Sequence, residues 1–152
     1  MSDPIPFEGS TARLALPMLF AGQAQKEFTV NEALLRADIA LQCVVEGEAA
    51  APPASPAAGQ AWLVADAPSG DFAGHALAIA GWTADGWRFV SPREGFVVFD
   101  RTAQCFRKFS GTWERPVAPA GPSGGATIDA EARAAIVSLI EILVAAGVLA
   151  ST

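Results

Sequence analysis

The chain has 152 residues and a formal net charge of -6, with Lys+Arg 10 against Asp+Glu 16. This length fits one domain, or one small domain with appendages, and leaves no room for two enzymatic domains. Hydrophobic residues make up 51% of the chain, but 32 of the 152 residues are alanine, so large core-forming side chains are fewer than that share suggests. The acidic surface repels phosphate backbones, which argues against nucleic-acid binding through a basic face.

Few side chains are suited to metal or redox chemistry. Cys43 and Cys105 are far apart and lack CxxC spacing, and His75 is the single histidine. We therefore predict no zinc site, no other metal and no cofactor. A thiol in an apolar run behaves as a small hydrophobe, so both cysteines are interpreted as structural, with a disulfide or a reactive role as the alternatives.

Residues 1–45 are predicted to form an N-terminal segment with one helix. The capping-box spacing of Thr29 and Glu32 marks its start, and apolar residues at three- and four-residue spacing extend it to about Gln42. Residues 22–27 precede it as a polar turn or short helical connector. The apolar run before that connector follows acidic residues and contains a proline, which does not match a signal peptide.

Residues 46–59 form a Pro/Ala-rich loop, and from residue 60 to residue 115 the hydrophobic period changes to two. Short runs rich in Val, Phe and Trp, separated by turn residues, are typical of a β-meander. The expected strands cover residues 61–65, 77–82, 87–90, 96–99, 104–109 and 112–114. The clearest hairpin turns at Asp85-Gly86, which lets Trp82 and Trp87 meet across the ladder.

Residues 116–126 are a Pro/Gly linker, and residues 127–152 form an apolar helix with Thr127 or Asp129 as its N-cap. The run is too short for a bilayer and carries Glu141 near its middle, so we predict no membrane span. A helix that is apolar on most sides needs partners, and we expect a symmetric bundle of three or five copies. The predicted oligomer interface consists of Ile136, Leu139, Ile140, Leu143 and Val144.

These elements together predict an α+β fold. It comprises an N-terminal segment with one helix, a central antiparallel β-meander of short strands, and a tethered C-terminal apolar helix. A serine triad needs a histidine base, and His75 lies in a Gly-flanked loop without a G-x-S-x-G motif, so we predict that the protein is not an enzyme. A small hydrolase that uses His75 remains a third alternative.

Tryptophans on a small β-scaffold suggest another function. Tryptophan rings stack on sugar rings, so Trp82, Trp87 and Trp113 are candidates for glycan stacking. Large aromatic side chains in a small domain also build its core. A carbohydrate-binding module that attaches to a host polysaccharide is therefore the alternative function.

Several blocks between residues 13 and 109 resemble one uncharacterised domain family, found in structural proteins of tailed phages and gene transfer agents, of the head-spike and fibre type. The resemblance rests on Leu14-Ala15-Leu16-Pro17, Ala21-Gly22-Gln23-Ala24-Gln25-Lys26-Glu27, Asn31-Glu32, Gly86-Trp87-Arg88-Phe89 and Pro92-Arg93-Glu94-Gly95. The GQAQKE and GWRF…PREG blocks together make the resemblance specific. The C-terminal segment from Ile128 to Ile136 is similar to short helices that close phage fibre and spike proteins.

The resemblance implies a virion structural protein, such as the head-spike base or adaptor of a gene transfer agent or tailed phage. Longer members carry a fibre after this domain, whereas here a single helix follows, which implies a separate fibre protein. The expected partners are copies of the chain, a capsid or other particle protein and that fibre, with no nucleic acid and no membrane. The expected location is the virion or phage-like particle, after synthesis in the bacterial cytoplasm.

Overall fold

A computed structural model of the protein describes residues 9–22 and 26–151. The chain divides into two compact units, one ending at Pro92 and the other starting at Arg93. The described residues form two helices and eight strands in two mixed sheets. This confirms the α+β class that the sequence predicts.

The first unit contains one helix and five strands. In chain order these are α1 (Lys26–Ala40), β1 (Val44–Val45), β2 (Glu48–Ala49), β3 (Ala61–Val64), β4 (Ile79–Thr83) and β5 (Gly86–Val90). A 3-10 turn at Gly70–Phe72 lies between β3 and β4. The strands β2-β3-β4-β5 are neighbours in that order, with β2 parallel to β3 and the other two pairs antiparallel.

Helix α1 begins at Lys26, three residues before the predicted start, so Thr29 lies inside the helix and not at its cap. Glu27 occupies the first turn, where a carboxylate interacts favourably with the helix dipole. Its Oε1 accepts a hydrogen bond from the Gly22 amide at 3.1 Å. The predicted connector over residues 22–27 falls partly on Gln23–Gln25, which lie outside the described residues.

The C-terminal end of α1 is stabilised by residues from before the helix. Asp38 is buried, and its carboxylate accepts hydrogen bonds from the Thr11 hydroxyl at 2.7 Å and from the Arg13 and Leu14 amides at 3.0 and 2.7 Å. The Arg13 guanidinium donates to the carbonyl oxygens of Asp38, Ile39 and Gln42, each at 2.8 Å. Arg13 thus supplies the cation and the donors that helix C-termini favour.

The two faces of the first-unit sheet are covered differently. Ile39 of α1 lies against Gly81 on one face. On the other face the side chain of Phe72 reaches back from the 3-10 turn, and it forms a core cluster with Val64, Ala78 and Ala80. The sheet is therefore buried by a helix on one side and by its own β3–β4 connection on the other.

The Pro/Ala-rich segment 46–59 contains more structure than its composition indicates. Its beginning forms β2, which pairs with β3 at the registers Glu48 to Leu63 and Ala49 to Val64. Backbone hydrogen bonds hold this pairing, including Leu63 N–H to the Gly47 carbonyl at 2.9 Å. Small side chains do not prevent backbone pairing, so residue composition missed this strand.

The second unit contains three antiparallel strands and one helix. They are β6 (Val97–Asp100), β7 (Cys105–Phe109), β8 (Trp113–Glu114) and α2 (Ala130–Ala145). A buried ion pair joins Asp100 to Arg107 at 3.3 Å, and Arg107 also donates to the Trp113 carbonyl at 3.2 Å. The charge of Arg107 therefore has partners on both β6 and β8, as a buried cation requires.

Helix α2 starts at the predicted N-cap, but it ends at Ala145, short of the predicted end at residue 152. Asp129 is the N-cap, and its side chain accepts a hydrogen bond from the Ala132 amide at 2.8 Å. Beyond the helix, the Gly147 carbonyl accepts from the Phe106 amide at 2.7 Å, and Ala150 pairs with residues 116–118 of the linker. The segment that follows α2 is thus hydrogen-bonded to β7 and to the start of the linker.

Candidate functional site

The surface of α2 is the most unusual feature of the second unit. The helix has 16 residues, and none of them is buried. Leu139 is 57% exposed and Ile142 is 63% exposed. Helix α2 therefore presents an apolar face that lacks a cover among the described residues. Burial of such side chains would be favourable by about 25 cal/mol for each Å² of apolar surface removed from water.

The five predicted interface residues divide into two groups. Ile136 and Leu139 are exposed, whereas Ile140, Leu143 and Val144 are half-buried. Ile140 and Val144 border a cavity of about 350 Å³ that Ala118 and Pro119 also line. Part of the predicted interface thus faces the chain's own linker.

Ile142 is the strongly exposed residue that the predicted interface omits. Its apolar side chain lies on a flank that a simple amphipathic helix leaves polar. The sequence does indicate an apolar residue on this flank, because few polar residues interrupt the run from Ala134 to Ala150. Only the structure shows which part of the helix the linker covers.

The predicted glycan-stacking tryptophans lie in two different units. Trp82 and Trp87 are paired across β4 and β5, with ring centroids 4.9 Å apart, which confirms the predicted contact between them. Trp62 of β3 joins them, with its ring 5.7 Å from that of Trp87. Trp113 lies in the second unit and is only 8% exposed, packed against Phe96 and Phe109.

The tryptophan cluster of the first unit (Trp62, Trp82 and Trp87) is packed edge to face. Trp87 is its centre, since its ring also meets Phe72 at 4.9 Å. Edge-to-face packing stabilises aromatic pairs and covers part of each ring surface. All three tryptophans are half-buried, and Trp87 is the member that packs against the core cluster around Phe72.

A small cavity lies beside Trp82. It has a volume of about 240 Å³, and Gln60 and Asp85 are among the polar residues that line it. Asp38 and Thr11 also reach this cavity, but they are hydrogen-bonded to each other. An aromatic ring next to polar side chains is the chemistry of a sugar-sized site, although the cavity is smaller than most ligand pockets.

A second cavity, of about 580 Å³, follows the exposed side of α1. Glu32 lies on its wall between Arg36 and Arg88, and its carboxylate oxygens are 2.8 Å from the Nε atom of each. The hydrogen bond from Arg36, with that from Arg88, lowers the pKa of Glu32 below its usual 4.5 despite partial desolvation. This ion-pair arrangement connects α1 to β5 and keeps Glu32 ionised.

The two cysteines are buried and free. Burial raises the pKa of the Cys43 thiol to about 11, and the nearby Arg13 charge lowers it only in part. Burial also raises the pKa of Cys105. Because the thiolate is the reactive form, both side chains are unreactive near neutral pH, in keeping with their interpretation as structural thiols.

His75 is exposed at the end of the β3–β4 connection and stacks on Phe89, with ring centroids 3.7 Å apart and planes at 1°.

Over residues 9–22 and 26–151, no group of three or more His, Cys, Asp or Glu side chains has the arrangement to hold a metal ion. Within the same residues, neither helix has the length and apolar character needed to cross a membrane.

Comparison with known proteins identifies a family for the central part of the chain. The profile of a family described as "Protein of unknown function (DUF2793)" matches residues 30–114, more than half of the length. No curated protein and no solved structure matches the chain. The matched region runs from within α1 to the end of β8 and stops before the linker and α2.

Proposed function

The chain belongs to the DUF2793 family of proteins of unknown function, and we propose that it is a structural protein of a tailed-phage or gene-transfer-agent particle. Its role there is that of a head-spike base or adaptor, which links the particle to a separate receptor-binding fibre. It acts by assembly and carries out no catalysis.

One observation carries the proposal: α2 is an apolar helix without a buried residue, although the segment that follows it is hydrogen-bonded within the same unit. An exposed apolar surface of this kind marks an interaction site. The resemblance of the GQAQKE and GWRF…PREG blocks to phage and gene-transfer-agent proteins indicates where that interaction takes place. A multi-copy particle is the setting in which such a surface is covered.

The proposal assigns a task to each part of the chain. The N-terminal segment and α1 seat the protein on a capsid or other particle protein. The strands of each unit contribute to a collar, stabilised in the first unit by aromatic packing and in the second by the buried ion pair of Asp100 and Arg107. Helix α2 holds three or five copies together, and the fibre docks on the assembled base. The protein is made in the bacterial cytoplasm and works in the particle.

Gene deletion in a bacterium that produces such particles tests this role. We expect deletion to leave shell assembly intact and to reduce adsorption of the particles to recipient cells, because the fibre loses its base. The full-length gene restores adsorption, whereas a version ending at Ala126 does not. Deletion particles that adsorb normally would contradict the proposal.

Glycan binding is the second candidate function, and the cavity beside Trp82 is the observation that favours it. A host polysaccharide would stack on Trp82 and bond to Gln60 and Asp85. Glycan-array binding should disappear in Trp82→Ala and persist in Trp62→Ala, the matched control from the same cluster, with both variants folded by circular dichroism. An array without signal for the native chain, or equal binding by both variants, would exclude this candidate.

A further inference from the structure

Five exposed residues, four of them in α2 and the fifth at its C-cap, follow a regular spacing. Alanine, leucine and isoleucine recur at alternating steps of three and four residues, the repeat of a coiled coil. We call these positions the α2 seam: Ala132, Ala135, Leu139, Ile142 and Ala146. At 3.6 residues per turn they lie within an arc of about 80° on the helix, and all five are exposed.

Most of the covered side of the helix lies away from the seam. Arg133, Ile140 and Val144 are half-buried and lie roughly 140° around the helix from the centre of the seam, whereas the half-buried Leu143 lies about 60° from that centre, beside the seam. Gly121 of the linker approaches this covered side, where an added Cβ would be 3.6 Å from Val137 Cγ2. The chain's own linker therefore cannot reach the seam without leaving its place.

We propose that the α2 seam binds the same seam of further copies of this chain, in a closed bundle of at least three helices. This deepens the proposed function, on which it rests, by naming the side chains that face the bundle axis. These are not the five residues that the sequence predicts, since Leu139 alone is common to both sets.

The local sequence around the seam favours a copy of the chain over a different protein as the occupant. Charged residues beside a coiled-coil seam select its partner. Glu131 is the one charged residue next to the α2 seam, so the seam has no pattern of charges that would select a different helix or reject its own. A second copy also carries the same seam with the same spacing, as a symmetric bundle needs.

The size of the seam argues for more than two copies. A helix of 16 residues is about 24 Å long and about 10 Å wide. One such face is far smaller than the roughly 800 Å² that each partner buries in a stable interface. In a bundle of three or more helices the seam contacts two neighbours at once, which increases the buried area per copy.

Light scattering of the full chain tests the seam. We expect a discrete oligomer of at least three times 15.7 kDa for the native chain, and a monomer for Leu139→Asp and Ile142→Asp. Ala134→Asp is the matched control, because it places the same charge on the exposed surface of α2 about 120° from the seam. It should keep the oligomer mass, and circular dichroism checks that every variant is folded.

Salt and cross-linking give independent readouts. Each copy has a net charge of -6, so salt screens their repulsion and should tighten the oligomer, whereas a basic partner would be released. Mild oxidation should link Ala135→Cys chains and leave Ala134→Cys chains unlinked, since the native cysteines are buried. A native monomer at every concentration, or an oligomer mass unchanged in both seam variants, would overturn the inference.

These outcomes separate the seam from the proposed function. A native monomer whose gene deletion still impairs adsorption would refute the seam and leave the structural role standing. If the chain forms a seam-dependent oligomer but deletion of its gene has no effect on adsorption, the seam is supported and the structural role is contradicted.

Discussion

Gly81 is the residue at which packing between α1 and the first-unit sheet is tightest. A Cβ added there would lie 2.5 Å from both Cδ1 and Cγ1 of Ile39, well inside normal contact distances. Gly81 is needed for this close approach and not for an unusual backbone angle. The side chain of Ile39, 4% exposed, fills the space that the glycine leaves.

Substituting Gly81→Ala should therefore lower the free energy of unfolding by about 1–3 kcal/mol, the usual cost of overpacking. The control Gly9→Ala should have little effect, because the added methyl would make only an ordinary contact with Met18 at 3.9 Å. Urea denaturation measures both changes. In the double variant Gly81→Ala with Ile39→Ala, the loss should be smaller than the sum of the single losses. Strict additivity would contradict the steric explanation.

Most residue contacts of this kind cannot be predicted from the sequence. Arg13 and Asp38 are 25 positions apart, and no spacing rule connects a guanidinium in an N-terminal turn to the carbonyls of a later helix end. The separation of Trp113 from Trp82 and Trp87 was equally hidden, because composition counts aromatic residues without assigning them to a unit. Asp129 was predictable, since capping depends on neighbours in sequence.

At the scale of elements, Glu32 couples α1 to the sheet. Its carboxylate bonds Arg36 within the helix and Arg88 on β5. Because these bonds lower the pKa of the folded state below the usual 4.5, the ionised form stabilises the fold above that pH. This contribution to the free energy of unfolding is lost as the pH falls from 4.5 through the lowered pKa of the folded state.

We expect Glu32→Gln to cost at most about 1 kcal/mol at pH 7, because the group is partly exposed and solvent screens the pairs. The difference between the native chain and the variant should shrink as the pH falls from 5 to 3. Urea denaturation at several pH values measures it. A difference that stays constant over this range would show that the loss comes from packing and not from charge.

Elements with strong local signals were predictable from the sequence. The Asp85-Gly86 turn specified the β4–β5 hairpin and the meeting of Trp82 and Trp87. The start of α1 was not predicted correctly, because the helix begins before the Thr29 capping box, and Glu27 in its first turn accepts a local hydrogen bond from the Gly22 amide. Strand β2 was not predicted, because its pairing with β3 depends on backbone hydrogen bonds and little on the side chains of Glu48 and Ala49.

For the whole molecule, the apolar surface of α2 and the acidic net charge have opposite effects on association. A net charge of -6 favours separation of copies, whereas the exposed seam favours their association. Assembly resolves this conflict, because the seam becomes buried while the charges stay at the surface. The sequence predicted that α2 needs partners, but which side of the helix is open depends on where the linker lies.

Quantitative mass spectrometry of particles purified from a bacterium that expresses this chain tests its structural role directly. We expect the chain to co-purify with the particles at a constant ratio to the major shell protein and to resist washing with high salt, because apolar contacts hold it. If the chain is absent from washed particles and stays in the cell lysate, its role as a structural particle protein is contradicted.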